Sequence, residues 1–171
     1  MDNSTNNWRL GELISVKNTY TTVKEGHTSY GRIAGSRHIC IREATDGQRG
    51  MLLKVLGKTP RHQIKVIAGE PFCKDDKYEG FGNDTYYTYR FPTTDELKEA
   101  LAILRGNADL LAKFDAASMH INPNSTFWVR ETASYMFFGK KLQYYDSKSD
   151  TVAPSSSKSD DAYYRITIAY F

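Results

Sequence analysis

Along the first 70 residues the apolar positions come in short runs: 11–17 (GELISVK), 37–42 (RHICIR), 51–56 (MLLKVL) and 63–69 (QIKVIAG), bounded by Gly, Asp, Asn or Thr-Pro. Runs of this length between turn residues predict strands. No helical period separates them, so they predict antiparallel neighbours rather than crossover units. Asp46-Gly47 sits between the second and third runs; the dipeptide tolerates positive φ, which predicts a hairpin over 37–56. Residues 70–88 carry glycines, acidic pairs and aromatics without a period, and predict a long ordered loop held by Tyr78, Phe81, Tyr86 and Tyr87.

The pattern changes at Thr93. Thr93 and Glu96 have the spacing of a capping box, Asp95 and Glu96 suit the positive end of a helix, and Leu97, Ala100, Leu101 and Leu104 make one apolar stripe at i, i+3, i+4 and i+7. The main helix is therefore expected over about 94–105, with a left-handed stop at Gly106. A second helix is expected over 108–117, with Leu110, Leu111 and Phe114 inward. Strands then return at 125–134, 135–146 and 162–171. In the last of these, Tyr164, Ile166, Ile168 and Tyr170 alternate with Arg165, Thr167 and Ala169, the period of a half-buried strand. The intervening DSKSDTVAPSSSKSDD has little apolar surface to bury and reads as a flexible hairpin tip. The expected class is α+β, one domain over 1–171, a mostly antiparallel sheet with one or two helices.

Composition changes this picture at two points. Aromatics reach 13% with 12 Tyr and 8 Phe, so packing leans on rings that also carry polar tips. Charge is uneven: residues 1–70 hold 11 Lys/Arg against 6 Asp/Glu, a net +5, and residues 71–171 hold 12 against 14, a net −2. Arg32, Arg37, Arg42, Arg49, Lys54, Lys58, Arg61 and Lys65 recur singly, the mark of a solvated sheet face rather than a phosphate stripe, so nucleic acid is not the expected partner. No apolar run is long enough for a membrane helix, so no membrane insertion is expected, and the opening MDNSTNNWRL lacks the regions of a signal peptide. Cys40 and Cys73 could bridge or stay free and packed.

Two segments resemble a known group. Tyr89–Leu101, YRFPTTDELKEAL, is similar to the WRLPT-x-x-E-[WL]-x-x-L segment of bacterial domains with a C-type-lectin-like fold, matching at Arg90, Pro92, Thr93, Glu96 and Leu97. These include the Fibrobacter succinogenes major paralogous domain, sulfatase-modifying factors and the variable proteins of diversity-generating retroelements. Phe127-Trp128-Val129-Arg130-Glu131 resembles their [YF]-W-[ST]-S-[TS]-E segment, with Val129-Arg130 in place of small hydroxyl residues, and Ala162–Ile168 resembles their closing strand. The resemblance covers parts of 90–171. It implies that a strand near the N-terminus pairs with the C-terminal strand, that helices flank one side, and that the protein lies outside the cell or on its surface.

No metal, cofactor or enzyme motif is complete. His27, His38, His62 and His120 lack zinc spacing, and HINPNSTFWVRE has too few oxygen ligands around Pro123-Asn124 for calcium. There is no nucleophile elbow or phosphate loop, and Cys73 has acidic neighbours. The sulfatase-modifying families use late cysteines, which this chain does not have. The adjacent carboxylates Asp75-Asp76 and Asp160-Asp161 have the setting of solvated loops. What stands out is a crowd of rings beside Asn and Arg. Tyr, Trp and Arg give large contact area at low rotamer cost, and this is the chemistry of recognition. With Phe127, Phe138, Tyr164 and Ile166 assigned to the core, the expected ligand contacts are Asn124, Trp128, Arg130, Tyr135, Tyr144, Tyr145 and Tyr163. The expected activity is calcium-independent, non-enzymatic binding of a protein or glycan, in the manner of an adhesin. The alternative is a structural subunit of an appendage or phage particle.

Overall fold

Thr93 accepts the backbone N–H of Glu96 at its hydroxyl while Glu96 takes the N–H of Thr93 at its carboxylate, 2.9 Å away, and helix α1 runs from this capping box over Thr94–Arg105. The computed structural model in which this is seen describes residues 8–24, 27–60, 77–79, 85–87, 91–135, 139–155 and 162–171. Leu97, Ala100, Leu101 and Leu104 are fully buried, as the stripe requires. Gly106 closes the helix at φ −85°, right-handed rather than left-handed. Asn107 then caps α2 (Ala108–Ala116) by accepting the Leu110 N–H at 3.1 Å, and Leu110 and Phe114 turn inward.

Nine strands accompany the helices: β1 (Leu13–Lys24), β2 (His27–Arg42), β3 (Met51–Pro60), β4 (Lys77–Glu79), β5 (Thr85–Tyr87), β6 (Thr126–Tyr135), β7 (Gly139–Asp146), β8 (Thr151–Pro154) and β9 (Ala162–Tyr170). Seven form one sheet in the order β1-β2-β3-β9-β6-β7-β8, and β4 pairs with β5. All pairs are antiparallel except β6 with β9. The class is therefore α+β. The β2–β3 hairpin turns at the Thr45–Gln48 bridge, around Asp46-Gly47. The closing strand β9 takes its antiparallel partner from β3, and Gly50 and Phe171 extend this ladder by exchanging backbone hydrogen bonds at 3.1 and 3.2 Å.

Several elements depart from the sequence pattern. β1, β2 and β3 are all longer than their apolar runs. The candidate strand 63–69 lies outside the described residues, as does most of the 70–88 loop, within which β4 and β5 pair. The serine-rich stretch after Asp146 is not all hairpin tip: Thr151–Pro154 pair with Gln143–Asp146 of β7. An edge strand is held by its ladder and does not require apolar burial, which is why composition misses it.

The sheet is buried on both faces. Toward the helices point Ile39, Ile41, Met51, Leu53, Val55, Phe127, Val129, Tyr145, Tyr164, Ile166 and Ile168, packed on Leu97, Leu101, Leu104 and Phe114. The other face carries Ile14, Cys40, Leu52 and Ala169 in one cluster and Phe91, Trp128 and Leu142 in a second. The expectation of a half-buried β9 is thus corrected, since Thr167 and Ala169 are as buried as Ile166 and Ile168. Phe127, Tyr164 and Ile166 are core, and Phe138 lies outside the described residues.

Entry of the chain into α1 is tied to the sheet. Between Val129 and Thr132 the β6–β7 register breaks, and the Arg130 N–H at this bulge donates to the Pro92 carbonyl at 2.8 Å. The Arg42 guanidinium bonds the Arg49 carbonyl at 2.9 Å and pairs with Glu99 of α1, so it is a strut between layers and not part of a solvated face.

Candidate functional site

The structure divides the expected contact residues between the two faces of the sheet. Trp128, Tyr144 and Tyr163 meet on the face away from the helices. The Trp128 ring lies 4.9 Å from Tyr163 at 65° and 6.5 Å from Tyr144 at 88°, and the two tyrosines lie 4.5 Å apart at 32°. Phe91 and Leu142 pack around them. Tyr145 sits on the helix face. Its hydroxyl donates to Asp150 at 2.8 Å, and Lys98 of α1 lies 5.6 Å from its ring and 3.1 Å from the same carboxylate.

Trp128 and Tyr145 are corrected from contact residues to packing residues. Trp128 is 0% exposed and its indole N–H donates to the Thr59 carbonyl at 2.8 Å, and Tyr145 is 5% exposed. The physical reason is the two-sided burial of the sheet: alternation assigns a ring to a face, and both faces here are covered. Burial first, and then Asp150, raise the Tyr145 phenol above its usual range. Asn124 is exposed in the loop before β6, where its side-chain oxygen accepts from Arg105 at 3.1 Å and its N–H donates to Asn122 at 3.0 Å. Arg130 is half-buried, with its N–H used at the bulge; Tyr135 ends β6. Tyr144 and Tyr163 are the half-buried pair, supported from beneath by a fixed Trp128.

Other polar groups are structural or lie elsewhere. His38 is fully buried and shares a 3.0 Å hydrogen bond with the Thr167 hydroxyl. Cys40 is free and buried; Cys73 lies outside the described residues. Burial, with Glu43 and Glu12, pushes the Cys40 thiol up to about 11 against the hydrogen bond to the Arg42 carbonyl. Among the described residues no group of three or more His, Cys, Asp or Glu converges to hold a metal, and no helix is long and apolar enough to cross a membrane.

A cleft of about 900 Å³ lies apart from the rings, lined by Leu13, Arg37, Lys54–Gly57 and Ala116–His120. Sequence reading misses it because its walls come from β1, β2, β3 and the end of α2. The local signal was Leu56-Gly57, which interrupts an apolar run. Comparison of the chain with family models, with curated proteins and with solved structures finds no match.

Proposed function

We propose that the protein is a non-enzymatic, calcium-independent binding module of C-type-lectin-like architecture, displayed outside the cell or on its surface, that holds a protein or glycan ligand on Tyr144 and Tyr163. The observation that carries this reading is the tyrosine pair itself: two half-buried rings 4.5 Å apart, packed on a buried tryptophan. Rings fixed by packing have little rotamer freedom left to lose when a ligand arrives, and their faces suit both sugar C–H groups and apolar side chains. Screening the protein against glycan and peptide arrays tests the reading. Captured ligands should be released by Tyr144→Ala with Tyr163→Ala, whereas capture unaffected by that pair overturns it.

A second reading, a structural subunit of an appendage or particle, is favoured by one feature. β1 and β2 remain paired from Leu13↔Ile39 out to Lys24↔His27, long after β2 has left β3 at Ile39↔Leu53. Such a two-stranded ribbon beyond the main sheet is a common device for reaching a neighbour. Stable oligomers by solution mass support this reading, and a monomer at high concentration counts against it.

A further inference from the structure

β2 and β3 separate at Leu53. Their pairing covers Ile39↔Leu53, Cys40↔Leu52 and Arg42↔Met51, while β3 continues with β9 as far as Pro60↔Ala162. Had the register continued, Lys54 and Val55 would face His38 and Arg37. Instead the cleft of about 900 Å³ opens there, with Arg37 on one wall and Lys54, Val55, Leu56 and Gly57 on the other. A bulge accompanies the parting: between Val55 and Lys58, β3 holds one residue more than β9, and Gly57 takes φ +83°. A bulge with a left-handed glycine bends its strand and tightens the local twist, which turns β3 away from β2. A Cβ at Gly57 would meet nothing within 4 Å, so the space beside it is open.

This geometry leaves Lys54–Gly57 without a partner strand on the β2 side among the described residues. A strand edge offers N–H and C=O groups at the repeat of an extended peptide, and four residues span about 13 Å of it. The lining selects the peptide's chemistry. Leu13, Val55, Leu56 and Met119 supply apolar surface, Arg37 and Lys54 supply cations, and neither Asp nor Glu lines the cleft. His120 also lines it but is bonded to the adjacent Asp115 at 2.7 Å, so its charge is already matched. Burial, and then the nearby Arg165, pull the Lys54 ammonium below its usual range; an incoming carboxylate would favour the charged form again.

We propose that the cleft between β2 and β3 accepts an extended acidic segment of another polypeptide, added as a strand along Lys54–Gly57 with its carboxylates on Arg37 and Lys54. Main-chain bonds give such a complex its register, and the two cations give it preference for acidic sequence. The site is separate from the tyrosine pair and does not depend on it.

The test uses the full chain, labelled with nitrogen-15, and a capped peptide of about eight residues that alternates Val and Glu. Its counterpart carries Lys for Glu. The expected result is slowed amide exchange at Lys54–Gly57 with the Val-Glu peptide, and no slowing with the Val-Lys peptide. Arg37→Glu should weaken the Val-Glu peptide about tenfold without moving the melting temperature, because Arg37 is exposed; Lys54→Gln should weaken it in the same direction. Tyr144→Ala with Tyr163→Ala should leave it unchanged, which separates this claim from the tyrosine reading. No protection at millimolar peptide, equal binding of both peptides, or shifts near Arg37 without slowed exchange at Lys54–Gly57 would each overturn the proposal. Protection already present without peptide at high protein concentration would overturn it too, in favour of a second copy of this chain.

Discussion

The indole N–H of Trp128 reaches the carbonyl oxygen of Thr59 at 2.8 Å, from β6 to β3, although β9 lies between those strands. Tyr163, the β9 partner of Thr59 in the ladder, packs edge-on against the same indole. Three strands are thereby clamped by one side chain on the face away from the helices.

Trp128→Phe should keep most of the packing and lose the donor, leaving the Thr59 carbonyl short of a partner at a cost of about 1–3 kcal/mol. Trp128→Ala adds a cavity and should cost about 3–5 kcal/mol. Chemical denaturation measures both. A Trp128→Ala protein as stable as wild type would show that the ring is not a structural element.

Thr93→Ala removes the side-chain half of the capping box and should cost about 0.5–2 kcal/mol, while Thr93→Ser should stay near wild type because its hydroxyl serves as well. Equal losses for the two variants would mean that the methyl group, not the cap, matters.

Cys40 should resist alkylation by iodoacetamide at pH 8 in the native protein and react fully in denaturant, read in a Cys73→Ser background so that one thiol reports. Its folded value of about 11 lies above the usual 9.0. Because the folded state holds the proton more tightly, this contribution to stability is complete below about pH 9 and is lost as pH rises toward 11. Rapid native alkylation at pH 8 would contradict the burial.

At Asp150 the sign is the opposite. The hydrogen bond from Tyr145, then Lys98, hold its carboxyl below the usual carboxylate range. The resulting stability is present above about pH 4 and is lost as pH falls through the lowered folded value. Asp150→Asn suits the positive φ of 53° and removes only the charge. Its melting temperature should fall slightly below wild type near neutral pH, with the gap closing in acid. A gap that widens in acid would refute the assignment.

What could be read from the chain follows from how local each signal is. The capping box at Thr93 and Glu96 and the Leu97–Leu104 stripe lie within one helix, so α1 was legible almost to the residue. β9 was legible as a strand, but not the burial of Thr167 and Ala169, because alternation does not say whether a second layer covers the other face. The same limit misplaced Trp128 and Tyr145 as contacts. β8 escaped because ladder bonds hold Thr151–Pro154 where composition suggested none. The cleft beside Gly57 depends on three registers at once, those of β1–β2, β2–β3 and β3–β9, and no single stretch of sequence encodes it.

The central claim is that Tyr144 and Tyr163 grip a ligand from a scaffold they do not themselves hold together. Titration calorimetry of an array-identified ligand against wild type and against Tyr144→Ala with Tyr163→Ala, with melting curves on the same samples, tests it most directly. The account predicts binding at least about a hundredfold weaker, roughly 2.7 kcal/mol, on a protein that still melts cooperatively. Undiminished affinity in the double variant would contradict it.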